Sequence, residues 1–200
     1  MGEREPLVGV GQLLIAEYQS IKEEQRARIG FRDNLLYVTL AAVAGVAAAS
    51  LEAARATMLL ALPPVCVVLG WTYLVNDEKI SAIGRYVRTE LAPRLGELAG
   101  PGAGAVFGWE TAHRGDARRR SRKAVQCLVD LGAFCAVPLA ALVGYWTDAP
   151  GRAALLVLSA LEALAVLALG VHFVLYALPF TAPAPEPSRA PVCPPTQPPL

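Results

Sequence analysis

Residues 153–178 read AALLVLSALEALAVLALGVHFVLYAL, a run that holds one acid, Glu162, one histidine, His172, and no Lys or Arg. A helix needs about 20 apolar residues to cross about 30 Å of hydrocarbon. In lipid the backbone has to satisfy its own hydrogen bonds, which favours a helix over a lone strand. The run therefore predicts a transmembrane helix. Three further stretches share its character, at 35–51, 57–75 and 124–146, each flanked by charge. Four spans follow, the first being the shortest.

Composition agrees with that count. Apolar residues make up 54% of the 200, only 18% are charged, and the mean hydropathy is +0.42. A soluble domain of this size needs more charge to cover its surface. The net charge of +1 says little, because the charges are segregated along the chain. Some thirty mixed-charge residues precede the first apolar run, which is not the pattern of a cleaved signal peptide.

Segregation sets the expected topology. Sixteen Lys and Arg fall before the first span, in the segment 76–123 and in the tail, whereas Arg55 and Arg152 alone fall in the other two connections. Basic flanks stay in the cytoplasm, so both termini and the long loop are expected there, in a plasma membrane. The two other connections are short, which makes 35–75 and 124–178 two antiparallel hairpins. Aromatic belts are expected at Tyr145 and Trp146 on the outside and at Trp71 and Tyr73 on the inside. Ala41, Gly45 and Ala49 recur every four residues, a small-residue stripe that admits a close helix. Pro63-Pro64 and Pro138 are expected to bend spans two and three.

The fold class expected is thus all-α, a four-helix transmembrane bundle with additions on its cytoplasmic side. Residues 1–34 carry an amphipathic helix, with Val10, Leu14, Tyr18 and Ile21 on one stripe and Glu24 and Arg28 at a favourable i,i+4 spacing. That helix is able to run on into the first span. In 76–123, Asn76 reads as an N-cap followed by Asp77 and Glu78 in the first turn. Ile80, Ile83, Val87 and Leu91 then share a face, Pro93 ends or bends the helix, and a Gly- and Ala-rich stretch reads as a loop. Residues 179–200 hold nine prolines and read as a disordered tail.

Little in the sequence carries chemistry. Cys66, Cys127, Cys135 and Cys193 lack metal-ligand spacing and read as small packing residues. There is no phosphate loop, Ser-His-Asp set or HExxH motif, so neither a cofactor nor a catalytic residue is expected. Three ionisable residues lie within spans: Glu162 near mid-membrane, and Asp130 and His172 at similar depth toward the cytoplasmic end. A charge at a helix centre costs about 2.5–3.5 kcal/mol. An ion or proton path and a structural hydrogen-bonding role both remain open for them. The run HRGDARRRSRK (113–123) gathers Arg114, Arg118, Arg119, Arg120, Arg122 and Lys123 just before the third span. It reads as a topology anchor or, with Trp109 nearby, as a contact for anionic lipid headgroups or a partner. Nucleic acid is not expected, since no reader fold accompanies the run.

The stretches YQSIKEEQRARIGFRDNLLYVTL (18–40) and LGWTYLVNDEKISAIGRYVRTELAP (69–93), with an Ala/Arg/Gly bias throughout, resemble multi-pass integral membrane proteins of high-GC actinobacteria. The resemblance covers the first half best and implies a bacterial inner membrane, without an activity. Both stretches are rich in specific polar residues for membrane-flanking sequence, which points to contacts made by them. The function expected is a non-enzymatic membrane component whose cytoplasmic face docks a soluble partner or another copy of itself. The alternative is an oligomeric channel or transporter that uses Glu162.

Overall fold

A computed structural model describes residues 9–100, 119–148 and 152–178. Of these, 96% are helical, and no strand occurs among them. Four helical stretches are long and apolar enough to cross a membrane: Val10–Ala53, Ala56–Ala99, Lys123–Asp148 and Ala153–Ala177. The protein is a multi-pass membrane protein by that measure. Large apolar side chains lie exposed along the spans, among them Leu161, Leu164 and Leu167 on the fourth. Such a surface suits lipid and would be a liability in water.

α1 is one helix from Val10 to Ala53, 44 residues, or about 66 Å at 1.5 Å per residue. That is about twice the hydrocarbon thickness, so α1 extends well beyond the bilayer. Its inward positions 14, 18, 21, 25, 28, 32, 35 and 39 are all buried or half-buried. Their alternating spacing of four and three averages 3.5 residues, the period that keeps one seam on a neighbouring helix. The helix ends at Ala54, whose backbone is left-handed (φ 49°), and a 3₁₀ segment, Ala56–Ala61, follows at once.

α2 runs from Leu62 to Tyr86 with prolines in its first turn. Pro63 and Pro64 therefore do not bend the second span in its middle. They start its α-helix, where a missing N–H leaves no bond unmade. Nor does a helix begin at Asn76. α2 passes through that residue, and its side chain is spent on another helix, as described below. A π-helical turn, Val87–Leu91, leads into α3, Ala92–Ala99. The same device recurs further on: α4, Arg119–Leu131, passes through a π turn, Gly132–Ala136, into α5, Val137–Asp148. Each π turn lies just before a proline, Pro93 or Pro138. A helical proline lacks an N–H and crowds the carbonyl four residues back, and a widened turn absorbs both defects. α6, Ala153–Ala177, completes the chain.

The second and third spans are central. α2 contacts α1, α5 and α6, while α6 packs on α4 and its π turn. The main core joins Leu35 of α1, Tyr73 and Leu74 of α2, Phe134 and Cys135 of the second π turn, and Val166, Leu169 and Phe173 of α6. Phe134 and Phe173 stack with centroids 5.8 Å apart. A smaller cluster at the other end gathers Leu60, Leu142 and Tyr145.

Two expectations about faces are corrected. Tyr73 and Tyr145 are not belt residues: they are 1% and 0% exposed and belong to the core, while Trp71 and Trp146 do face outward. Residues one or two apart lie about 100° or 200° apart around a helix, so each pair splits between inside and outside. Ala41, Gly45 and Ala49 are exposed, and no atom lies within 4 Å of where a Cβ on Gly45 would stand. Among the described residues no helix packs on that stripe.

Candidate functional site

Polar side chains from the four spans meet at one end of the bundle, the end from which the long extension of α1 leaves and at which α4 begins. The Arg32 Nη1 donates to Asp77 Oδ1 at 2.8 Å, joining α1 to α2. Four residues back, Asn76 Nδ2 donates to the backbone carbonyl of Arg28 at 2.7 Å, and Asn76 is 5% exposed. Arg28 also pairs with Glu24 on its own helix, its Nε donating at 2.8 Å. Farther out, the Tyr86 hydroxyl donates to Glu17 at 2.6 Å. The outer link 17–86 and the two inner links 28–76 and 32–77 show the helices running antiparallel. The two polar-rich stretches of the sequence are thus each other's partners.

Burial alone lowers the Arg32 guanidinium pKa, but the hydrogen bond to Asp77 and the neighbouring acids more than offset it. Arg32 is held above its ordinary value and stays charged at any working pH. The Tyr86 phenol is also raised, first by its hydrogen bond to Glu17, so it remains a neutral donor up to and above its usual titration range.

Toward the bundle interior the network continues. The Gln126 Nε2 donates both to Tyr73 Oη at 2.7 Å and to Asp130 Oδ1 at 2.9 Å. Asp130 is 6% exposed, and these contacts supply the hydrogen bonds that make such burial tolerable. Above it, the Tyr176 hydroxyl donates to Ser81 Oγ at 3.0 Å, and Lys123 Nζ sits 5.4 Å from the centroid of the Tyr176 ring. Tyr73, Asp77, Lys123, Gln126, Asp130 and Tyr176 border a cavity of about 40 Å³. That volume holds little more than one water. It suits a polar joint that locks α1, α2, α4 and α6 together, and it is too small for an organic substrate.

Asp130 and His172 do not meet. Asp130 is engaged by Gln126, whereas the His172 Nδ1 lies 2.8 Å from the Ala168 carbonyl of its own helix, and its ring meets Trp71 edge-on at 5.5 Å. Equal depth in the membrane does not fix equal azimuth around the bundle, and these two differ in azimuth. Glu162 stands apart from both, half-buried on α6 with a shielded Oε2 that has no hydrogen-bond partner among the described residues. Trp146 Nε1 donates to Ser159 Oγ at 2.8 Å, while the buried Tyr145 hydroxyl also has no partner among the described residues.

Comparison of the chain with protein-family models, with curated proteins and with solved structures finds no match. What the site does has to follow from its own residues. Among the described residues, no group of three or more His, Cys, Asp or Glu is placed to hold a metal ion. Cys66, Cys127 and Cys135 are free thiols. Trp109, Arg114 and Arg118 lie outside the described residues, as do Cys193 and the Pro-rich tail. Arg119, Arg120 and Arg122 occupy the first turn of α4 together with Lys123.

Asp130 stands out in the sequence as a carboxylate in a span, but its partners do not: Tyr73 has the pattern of an interfacial aromatic, and Gln126 is a neutral residue in an apolar run. The available signal was spacing: Gln126 and Asp130 are four apart and share a helix face.

Proposed function

We propose that this is a non-enzymatic membrane component that presents a paired-helix stalk to the cytoplasm and docks a soluble protein or a second copy of the chain there. The stalk is formed by residues 10–33 of α1 against the segment from Asn76 through α3, and the two spanning units are antiparallel hairpins with both termini inside. The charge distribution supports that orientation, because the stalk lies at the end where the basic residues gather. A plasma membrane location agrees with the resemblance to actinobacterial proteins.

One observation carries the docking reading. Val10, Leu13 and Ile15 are 65%, 58% and 51% exposed near the tip of the stalk, about 30 Å of helix beyond the Arg32–Asp77 link. Lipid covers apolar side chains along the spans, but it does not reach the tip of a stalk this long. Val10 and Leu13 share one side of the helix and Ile15 stands on the opposite side, and apolar side chains held in water this way offer a partner its contact. The first arm of the stalk continues as one helix into a membrane span, and the second joins its span through α2 and the π turn Val87–Leu91.

The test uses the tagged full-length protein, solubilised from its native membrane in mild detergent, with and without Leu13→Asp and Ile15→Asp together. Wild type is expected to carry a stoichiometric partner, or to run as a discrete oligomer, and the double variant to lose it while its helix content stays unchanged. Association that is absent from wild type, or indifferent to both substitutions, contradicts the proposal.

Glu162 supports a second reading. Among the described residues its shielded Oε2 lacks a partner, and α6 is largely exposed, so a neighbouring copy is able to supply the missing contact. An oligomeric channel or transporter of this kind predicts that Glu162→Gln abolishes ion flux into liposomes while assembly persists. Unchanged flux removes Glu162 from any such path.

A further inference from the structure

Glu162 is the only acid of α6 and stands about 13 Å of helix in from Ala153. Contacts on either side of it fix what lies at its level. The Cβ that Gly70 lacks would stand 2.8 Å from Leu169 Cδ2, and the Trp71 and His172 rings meet at 5.5 Å. α2 and α6 run in the same direction, so these contacts, carried back in step, set Glu162 level with Leu62 and Pro63. On the other side, a Cβ on Gly170 would stand 3.5 Å from Cys135 Sγ, and Trp146 donates to Ser159. α5 runs opposite to α6, which sets Glu162 level with Leu142 and Val143. Its neighbour Ala163 packs on the cluster of Leu60, Leu142 and Tyr145. The level is apolar.

Half-buried there, Glu162 keeps its Oε2 shielded and without a partner among the described residues. An ionised carboxylate in such a place has neither water nor a donor to replace it. Charged groups on the helices packed against α6 stand off its level. Among the described residues, Tyr73, Cys127, Asp130, Lys123 and Cys135 lie two turns or more toward the stalk, as does His172 on α6 itself. Asp148 and Arg152 stand toward the opposite end. Cys66 and Tyr145 are within about a turn, both buried, and a thiol and a phenol are ordinarily neutral at pH 7. A metal cation fares no better. Hard cations take about six or more oxygen ligands. Glu162 supplies two, and the carbonyls around it are spent on the hydrogen bonds of α6. A proton needs one oxygen.

We propose that Glu162 is an intramembrane proton-binding site, and that any ion passed through it is a proton and not a metal cation. The binding stands on the surroundings just described; naming the ion rests on the second reading given above. Tyr145 fits the same role. Its hydroxyl is buried without a partner among the described residues, and its level is about 3 Å from that of Glu162. Helical side chains lean toward the N-terminus of their own helix. On these opposed helices, Tyr145 and Glu162 therefore lean toward each other's level. A phenol both donates and accepts, which suits a carboxyl that gains and loses a proton.

The test treats the full-length protein in phosphatidylcholine liposomes with dicyclohexylcarbodiimide at neutral pH and locates the label by peptide mass spectrometry. The reagent needs a protonated acid. The carboxyl proton moves to a carbodiimide nitrogen, the oxygen bonds to the central carbon, and acyl transfer from oxygen to nitrogen fixes the whole reagent with no leaving group. Wild type is expected to carry the label at Glu162, and Na⁺ or K⁺ to give no protection. A second measurement decides where the reagent fails to reach. The infrared carbonyl band of a protonated acid is expected in wild type and is lost in Glu162→Gln. An ionised Glu162 in that spectrum, or labelling that Na⁺ or K⁺ blocks, overturns the proposal. Flux across the same liposomes separates the two claims. Proton flux that Glu162→Gln abolishes supports both. Glu162-dependent flux of Na⁺ or K⁺ overturns the choice of ion and keeps the path, whereas no flux with the infrared band present removes the path and keeps the site.

Discussion

Gly70→Leu is expected to lower the stability of the bundle by about 3 kcal/mol, the upper part of the range for overpacking a filled core. Gly70 sits where α2 passes closest to the second π turn and to α6. A Cβ added there would stand 2.8 Å from Leu169 Cδ2 and 3.0 Å from both Cβ and Cγ of Phe134. The leucine methyl is able to rotate aside. Phe134 is not, because it is fully buried and stacked on Phe173. Gly70→Ala is therefore close to balance: one methyl strains Phe134, while alanine gains about 1 kcal/mol of helix propensity over glycine. Leucine adds three more carbons with nowhere to go, and the helices must separate. Gly45→Leu is the control, since open space surrounds that position. Denaturant titration of the purified protein in mixed micelles measures all three. If Gly70→Leu unfolds at the same midpoint as wild type, α2 and α6 do not cross at Gly70.

Asp77→Arg is expected to detach the stalk from the head of the bundle. Asp77 accepts from Arg32, and both side chains are about a quarter exposed (27% and 26%). A fully buried pair that loses one partner costs about 3–5 kcal/mol. Partial exposure screens this one, which brings the expectation to about 2 kcal/mol. Reversal is worse than neutralisation here, because Arg28 and Arg32 would then face a third guanidinium. Asp77→Arg combined with Arg32→Asp restores the pairing and is expected to recover at least half the loss, the residue of the cost arising from the adjacent Asp33. Proteolysis at the stalk, monitored against helix content, reads the effect locally. A double variant no more protected than the sum of the singles would mean that the two residues are not coupled.

The spans were legible because bilayer thickness imposes a length, and a run of twenty apolar residues cannot be read many other ways. What happened within and beyond the spans was less legible, and the reasons are particular. Asn76, Asp77 and Glu78 have the composition of a helix start, but the same residue types serve as links between helices. Only the position of α1 shows that Asn76 reaches the Arg28 carbonyl and that Asp77 reaches Arg32. The prolines were visible, yet sequence does not say whether a chain kinks, restarts or widens into a π turn. Pro63 and Pro64 restart a helix, while Pro93 and Pro138 follow widened turns. Asp130 was found because a carboxylate in a span is costly anywhere. Its neighbours were not, because Gln126 and Tyr73 carry no charge and their meeting depends on how α2 and α4 are rotated. His172 and Asp130 lie at similar depth, which leaves their contact open, and the rotation of their helices separates them.

A chain that crosses the bilayer four times with the paired helical stalk in the cytoplasm exposes different positions on the two sides. Single cysteines introduced in a background lacking Cys193 and probed in intact cells with a membrane-impermeant maleimide test this directly. Arg55→Cys, between the first two spans, and Thr147→Cys, in the last turn of α5, are predicted to label in intact cells. Glu24→Cys and Glu97→Cys, on the two arms of the stalk, are predicted to label only after the membrane is opened. Labelling of Glu24→Cys or Glu97→Cys in intact cells, or protection of both outer positions, would contradict the account.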